Sequence, residues 1–167
     1  MKDHRGIRGR IVFWGILFTA GLLAAAAHAA TDIRLSKGQT VYVPIYSHIY
    51  IGDRDHPYLL AATLSIRNTD PNHSITILSA DYYDTDGKLL RRYLTGPRQL
   101  SKMASTRFII KESDKSGGSG AKFIVTWKSD TLVNEPIIEG VMIGTKTQQG
   151  ISFVCRGRAI TDKTDLK

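Results

Sequence analysis

The chain has 167 residues, with 23 Lys and Arg against 15 Asp and Glu, a formal net charge of +8 and one cysteine. A single cysteine, Cys155, excludes an internal disulfide framework, so stability must come from a packed core. Only Arg91 and Arg92 are adjacent bases after the first ten residues, and bases scattered in this way form a solvated surface rather than a nucleic-acid-binding face.

The first element in chain order is a leader. Residues 1–10, "MKDHRGIRGR", carry four bases and one acid; residues 11–27 are uncharged; and Ala27-His28-Ala29 has small-x-small spacing. A basic region, an apolar region and a cleavage site in that order make a signal peptide of residues 1–29. The alternative is a retained inner-membrane anchor, but a span needs about 20 apolar residues, and this run is slightly short and ends in small ones. Without the leader, 138 residues remain, with 19 bases against 14 acids, or +5. That length suits one domain. Export directs the chain to the periplasm, with membrane contact only in transit.

Residues 30–39 form a lead-in, residues 40–160 one β domain, and residues 161–167 a polar tail. The domain reads as short β-rich runs separated by turn residues. Residues 40–51, "TVYVPIYSHIYI", alternate: Val41, Val43, Ile45, Ile49 and Ile51 on one face, Tyr42, Tyr46, His48 and Tyr50 on the other. Pro44 cannot donate to a ladder and predicts an edge or bulged strand. Residues 58–68 place Tyr58, Leu60, Ala62, Leu64 and Ile66 on one face, and "TDPNHS" turns the chain at Pro71 and Asn72. Residues 75–83 are a strand, joined through Asp86-Gly87 to "KLLRRYL", a hairpin signal because such turns need positive φ. A weak stretch, "TGPRQLSKMAS", leads to a strand at 106–111. Further strands cover 121–128, with Phe123, Val125 and Trp127 on one face; 137–144, with Gly140 at a bulge; and 151–156, where Cys155 alternates in register with Ile151 and Phe153 as a buried thiol. Roughly seven to eight strands at this rhythm, with no amphipathic helix, predict an all-β, immunoglobulin-like antiparallel β-sandwich.

Four features are candidate sites. The first is the Gly-rich stretch of "ESDKSGGSGAKFIVTW", residues 112–127. A phosphate loop needs G-x-x-x-x-G-K-[ST] followed by a helix, whereas Ala121 separates Gly120 from Lys122, Phe123 stands in the hydroxyl position, and a strand follows. A hairpin connection fits better. Ser119 in "GGSGA" only loosely matches a nucleophile elbow, and no helix follows it. The second is "DYYDTDG", whose Asp81, Asp84 and Asp86 suggest calcium. An EF-hand loop with Gly87 at its sixth position would need ligands at Tyr82 and Tyr93, so a non-standard site is what remains beside turn-making by Asp84 and Asp86. The third is the face bearing Tyr42, Tyr46, His48 and Tyr50, since aromatics with polar tips suit interfaces and sugar-like ligands. The fourth is the Asp81–Glu139 carboxylate pair, for which sequence offers no distance. His48, His56 and His73 lack metal-ligand spacing, and no cofactor is expected.

The blocks "LSKGQTVYVPIYSHIY", "LSIRNTD", "ILSADYYDTDGKLL", "SGGSGAKFIVTW", "PIIEGVMIG" and "QGISFVCRG", from Leu35 to Arg158, together resemble the bacterial family DUF3124. The resemblance implies a small extracytoplasmic domain of unknown function and supplies no catalytic residues. Members often carry asparagine where Lys122 stands, and some are lipoproteins; this chain has lysine there and no cysteine near the cleavage site. The expected function is a non-catalytic binding or interaction module engaging an envelope protein or small ligand. The alternatives are a carrier of a small ligand or metal ion and, third, a hydrolase. The residues expected to contribute are Tyr42, Tyr46, His48, Tyr50, Asp81, Asp84, Asp86, Ser119 and Lys122.

Overall fold

A computed structural model describes residues 34–161, apart from residues 54 and 146–149. The leader and the polar tail beyond residue 161 lie outside the described residues. Among the described residues twelve strands follow one another: β1 (Leu35–Pro44), β2 (His48–Tyr50), β3 (Pro57–Leu59), β4 (Ala61–Arg67), β5 (Ile75–Tyr83), β6 (Leu89–Arg92), β7 (Arg98–Leu100), β8 (Ser105–Ile110), β9 (Lys122–Asn134), β10 (Ile137–Gly144), β11 (Ile151–Arg156) and β12 (Arg158–Ile160). No helix occurs among the described residues.

The strands form two main antiparallel sheets. The larger runs β12-β1-β9-β5-β6, with β7 also on β5; the smaller runs β11-β10-β4-β8; β2 and β3 make a separate ribbon. The β4–β8 and β5–β9 pairs repeat the two central pairings of an immunoglobulin sandwich, while β1 joins β9 and β10 joins β4 at the flanks. Alternation gives each sheet one apolar face. Val41, Val43, Phe123, Val125 and Trp127 from the larger sheet meet Leu64, Ile66, Phe108, Ile110, Ile138 and Met142 from the smaller, all buried.

A bulge keeps β5 in phase with this core. Ile75 and Ile77 are buried on odd positions, Ala80 and Tyr82 on even ones, and the register against β9 shifts between Ile77 and Ser79. Without the extra residue, one half of the strand would turn its apolar side chains outward.

The long run expected at residues 40–51 is two elements. Its alternation persists through Ile45 and Ser47, both fully buried, but the backbone leaves the strand after Pro44. Nor is β1 a simple edge strand: it lies between β12 and β9. However, β12 reaches only Thr40–Tyr42, so Pro44 stands beyond it, where its missing N–H breaks no ladder bond. Gly140 does not mark a bulge, because β10 stays in register with both neighbours. Glycine is needed there for close approach: a Cβ would lie 2.6 Å from Ile45 Cδ1 and 2.9 Å from the Pro44 carbonyl oxygen.

Candidate functional site

The Gly-rich loop, the Asp84–Lys88 turn and the chain after Pro44 interlock at one end of the sandwich. Asp84 Oδ1 accepts from the amides of Asp86 (3.0 Å) and Lys88 (2.8 Å), and Gly87 takes φ 87°, so Asp84 and Asp86 do serve the turn. Thr85 then clasps the Gly-rich loop. Its amide and hydroxyl donate to the Gly117 carbonyl (3.0 and 3.1 Å), and its Oγ1 accepts from the Gly120 amide (3.0 Å). Lys122 donates its ammonium to the carbonyls of Asp84 (2.5 Å) and Thr85 (3.2 Å). On the other side the amides of Ile45 and Ser47 donate to Ala121 and Gly118, so the loop takes the place of a partner strand.

Beneath this loop lies a buried polar pair, Ser47 Oγ and Tyr82 Oη, 3.0 Å apart. Burial pushes the Tyr82 phenol above its ordinary value, which keeps it a neutral hydrogen-bonding group. Gly117 sits directly on that phenol: a Cβ there would come within 2.0 Å of Tyr82 Oη. Gly118 has φ 77°, and a Cβ on Gly120 would meet Thr85 Cγ2 at 3.1 Å. The cluster of small residues therefore answers to three separate steric demands, none of which involves a ligand. Ser119 is half-buried within it. Lys122 is occupied by backbone carbonyls, and no group of three His, Cys, Asp or Glu side chains among the described residues is placed to hold a metal.

The tyrosine–histidine face is divided. Tyr42 lies on the outer face of the larger sheet, in a cross-strand row running Arg158, Tyr42, Ile124, Asp81, Arg92. Tyr42 and Asp81 are two strands apart there, about 9–10 Å. Tyr46 instead packs edge-on against Phe153 of β11 (5.7 Å between ring centroids). His48 and Tyr50 pair within the ribbon, Nε2 to Oη 3.2 Å. Asp81 and Glu139 lie on different sheets.

Three features carried no readable motif. The turn "NTDPNHS" hides a polar node: Asn68 and Asp70 are buried. Asp70 accepts from the amides of Asn72 (2.9 Å), His73 (2.8 Å) and Asn134 (3.1 Å), and these bonds, led by Asn72, hold its carboxyl at about 2 against the opposing effect of desolvation. Two Asx residues just before Pro71 were the available signal. The second feature is an open cleft of about 310 Å³ lined by residues 93–98, between β6 and β7. The third is the outer face of the smaller sheet. There Val154, Val141, Thr63 and Ile109 form one cross-strand row, Ser152, Ile143 and Ala61 lie on one side of it, and Arg156, Glu139, Ser65 and Arg107 on the other. Ile109 is 55% exposed, Val154 54% and Ile143 48%.

The class defined by these features is an antiparallel β-sandwich with one end closed by interlocked turns. The chain belongs to the DUF3124 family, described as a protein of unknown function, whose pattern matches residues 38–160. A search of curated proteins finds no match. Among solved structures the chain is similar to the crystal structure of Thermotoga maritima 1070, at 13% identity and a TM-score of 0.42, over 72% of this chain and 92% of that one.

Proposed function

We propose that the protein is an exported bacterial module that binds another protein of the cell envelope and carries out no chemistry of its own. The observation that carries this reading is the outer face of the smaller sheet. A β-branched row whose ends, Val154 and Ile109, are exposed and whose middle, Val141 and Thr63, is half-exposed, bordered by a charged row, suits an interface core with a polar rim. The interlocked loops support the non-catalytic part, since the polar groups of the Gly-rich region serve backbone carbonyls and turns. The leader motivates export.

The test is a paired capture from envelope extract, using the wild type and the Ile109→Asp/Val154→Asp variant. Both side chains point outward, so the variant is expected to melt within a few degrees of the wild type and to lose specific partners that the wild type retains. Identical capture profiles from the two proteins would defeat the interaction reading. For export, the expected mature N-terminus is Ala30; recovery of only full-length, membrane-embedded protein would favour the retained-anchor alternative.

A further inference from the structure

The cleft between β6 and β7 lies apart from the interaction face, meeting it where Tyr93 Oη donates to the Ile109 carbonyl at 3.3 Å, and was not among the candidate sites read from sequence. Its walls are Tyr93, Leu94, Thr95, Gly96, Pro97 and Arg98. Arg98 is exposed yet anchored twice. Its guanidinium lies over the Phe108 ring at 5.6 Å, and Nη1 donates to Thr106 Oγ1 at 3.2 Å. The Phe108 ring in turn packs on Tyr93 at 5.4 Å, and the guanidinium of Arg91 lies over the Tyr93 ring, also at 5.4 Å. An aromatic pair is thus flanked by two arginines across the margin between the sheets.

Neither arginine is a member of the ion pairs seen among the described residues, which include Arg67–Glu139 and His73–Asp70, although the Asp114 carboxylate acts on Tyr93 alongside Arg91. A guanidinium offers five N–H donors in a rigid fork matched to oxyanions. Thr106 takes one from Arg98, so the remaining donors stay free beside the cleft. The stacked and hydrogen-bonded side chain has already lost much of the freedom that ligand binding would otherwise remove. Thr95 adds a hydroxyl to the same wall. The faces of Tyr93 are taken up by Phe108, Phe123 and Arg91, so the cleft offers charge and hydrogen bonds rather than a stacking platform.

We propose that this cleft binds a small ligand through an oxyanion, a phosphate or carboxylate group, held by Arg98 with Arg91 supplying additional positive potential. The test is an amide-shift titration of the purified protein by NMR, with inorganic phosphate and citrate in separate arms and sodium chloride at matched ionic strength as the reference. Saturable shifts at residues 93–98 and 106–108 in at least one arm, absent with chloride, are expected; the arm that saturates separates phosphoryl from carboxylate ligands. Arg98→Lys keeps the charge but removes the fork, and should weaken binding by about tenfold. Gln99→Ala, next to it on β7, should leave affinity unchanged. Shifts that do not saturate in either arm, shifts spread evenly over surface lysines and arginines, or an Arg98→Lys variant that binds as well as wild type would each overturn the proposal. None of these outcomes bears on the smaller sheet's outer face, so this site and the interaction reading fail separately.

Discussion

Replacing Gly117 with alanine isolates the packing at the closed end of the sandwich. Gly117 does not have positive φ, so alanine is conformationally allowed and the penalty is steric. The new methyl would stand 2.0 Å from Tyr82 Oη, 2.7 Å from Ala121 Cβ and 2.8 Å from Tyr82 Cζ, all in fully or nearly fully buried side chains. Overpacking costs about 1–3 kcal/mol. Displacing the phenol also separates it from Ser47 and leaves two buried polar groups unpaired, adding about 1–3 kcal/mol. Gly117→Ala should therefore destabilise by about 2–6 kcal/mol, read as a lower urea midpoint at unchanged m. Gly96→Ala is the control, with nothing within 4 Å of its added methyl; it should stay within about 0.5 kcal/mol of wild type. A cycle with Tyr82→Phe, which removes the obstructing hydroxyl, should show coupling of about 1 kcal/mol or more. A cost for Gly117→Ala indistinguishable from that of Gly96→Ala, or strict additivity with Tyr82→Phe, would refute the view that close packing on Tyr82 demands this glycine.

Asp70 should govern acid stability. Its carboxyl is held at about 2 against an ordinary value of 3.8, so its contribution is fully present above pH 3.8 and is withdrawn as pH falls towards 2. Melting temperature followed from pH 5 to 2 should fall more steeply for wild type than for Asp70→Asn; parallel curves would contradict this. Lys122→Met strips the ammonium from the Asp84 and Thr85 carbonyls and should cost about 1–2 kcal/mol in denaturant unfolding, with no change at the cleft between β6 and β7. Burial pushes the Cys155 thiol up, so its alkylation at pH 8 should be several-fold slower than that of a free thiol and should accelerate on unfolding.

Much of the sandwich was legible because a strand facing a core alternates. The bounds expected for residues 75–83, 137–144 and 151–156 match β5, β10 and β11. What escaped detection lacks that signature. β7 and β12 have three residues each, and β9 continues past Trp127 through "KSDTLVN", where mostly exposed positions leave only Val133 buried. Residues 45–47 alternate like a strand, but their amides pair with a loop, a long-range fact that periodicity cannot carry. The same limit applies to the candidate site. The spacing of the Gly-rich stretch argued against a phosphate loop, yet its purpose depends on Tyr82 and Thr85, more than 30 residues away. The run "RRYLTGPR" held the cleft residues in plain view, but only the Phe108 and Thr106 contacts reveal that Arg98 is held in place.

The pairing of β1 with β9 and β12 has a consequence for when this protein can fold. Thr40 finds one neighbour at Thr126 and the other at Ile160. An emerging chain therefore holds its first strand open until nearly all of the domain has been made. Such long-range pairing folds slowly, because chain closure must precede the contacts that reward it. Under the export proposed above, that delay is useful: a polypeptide that cannot close its sandwich early remains threadable while it crosses a membrane.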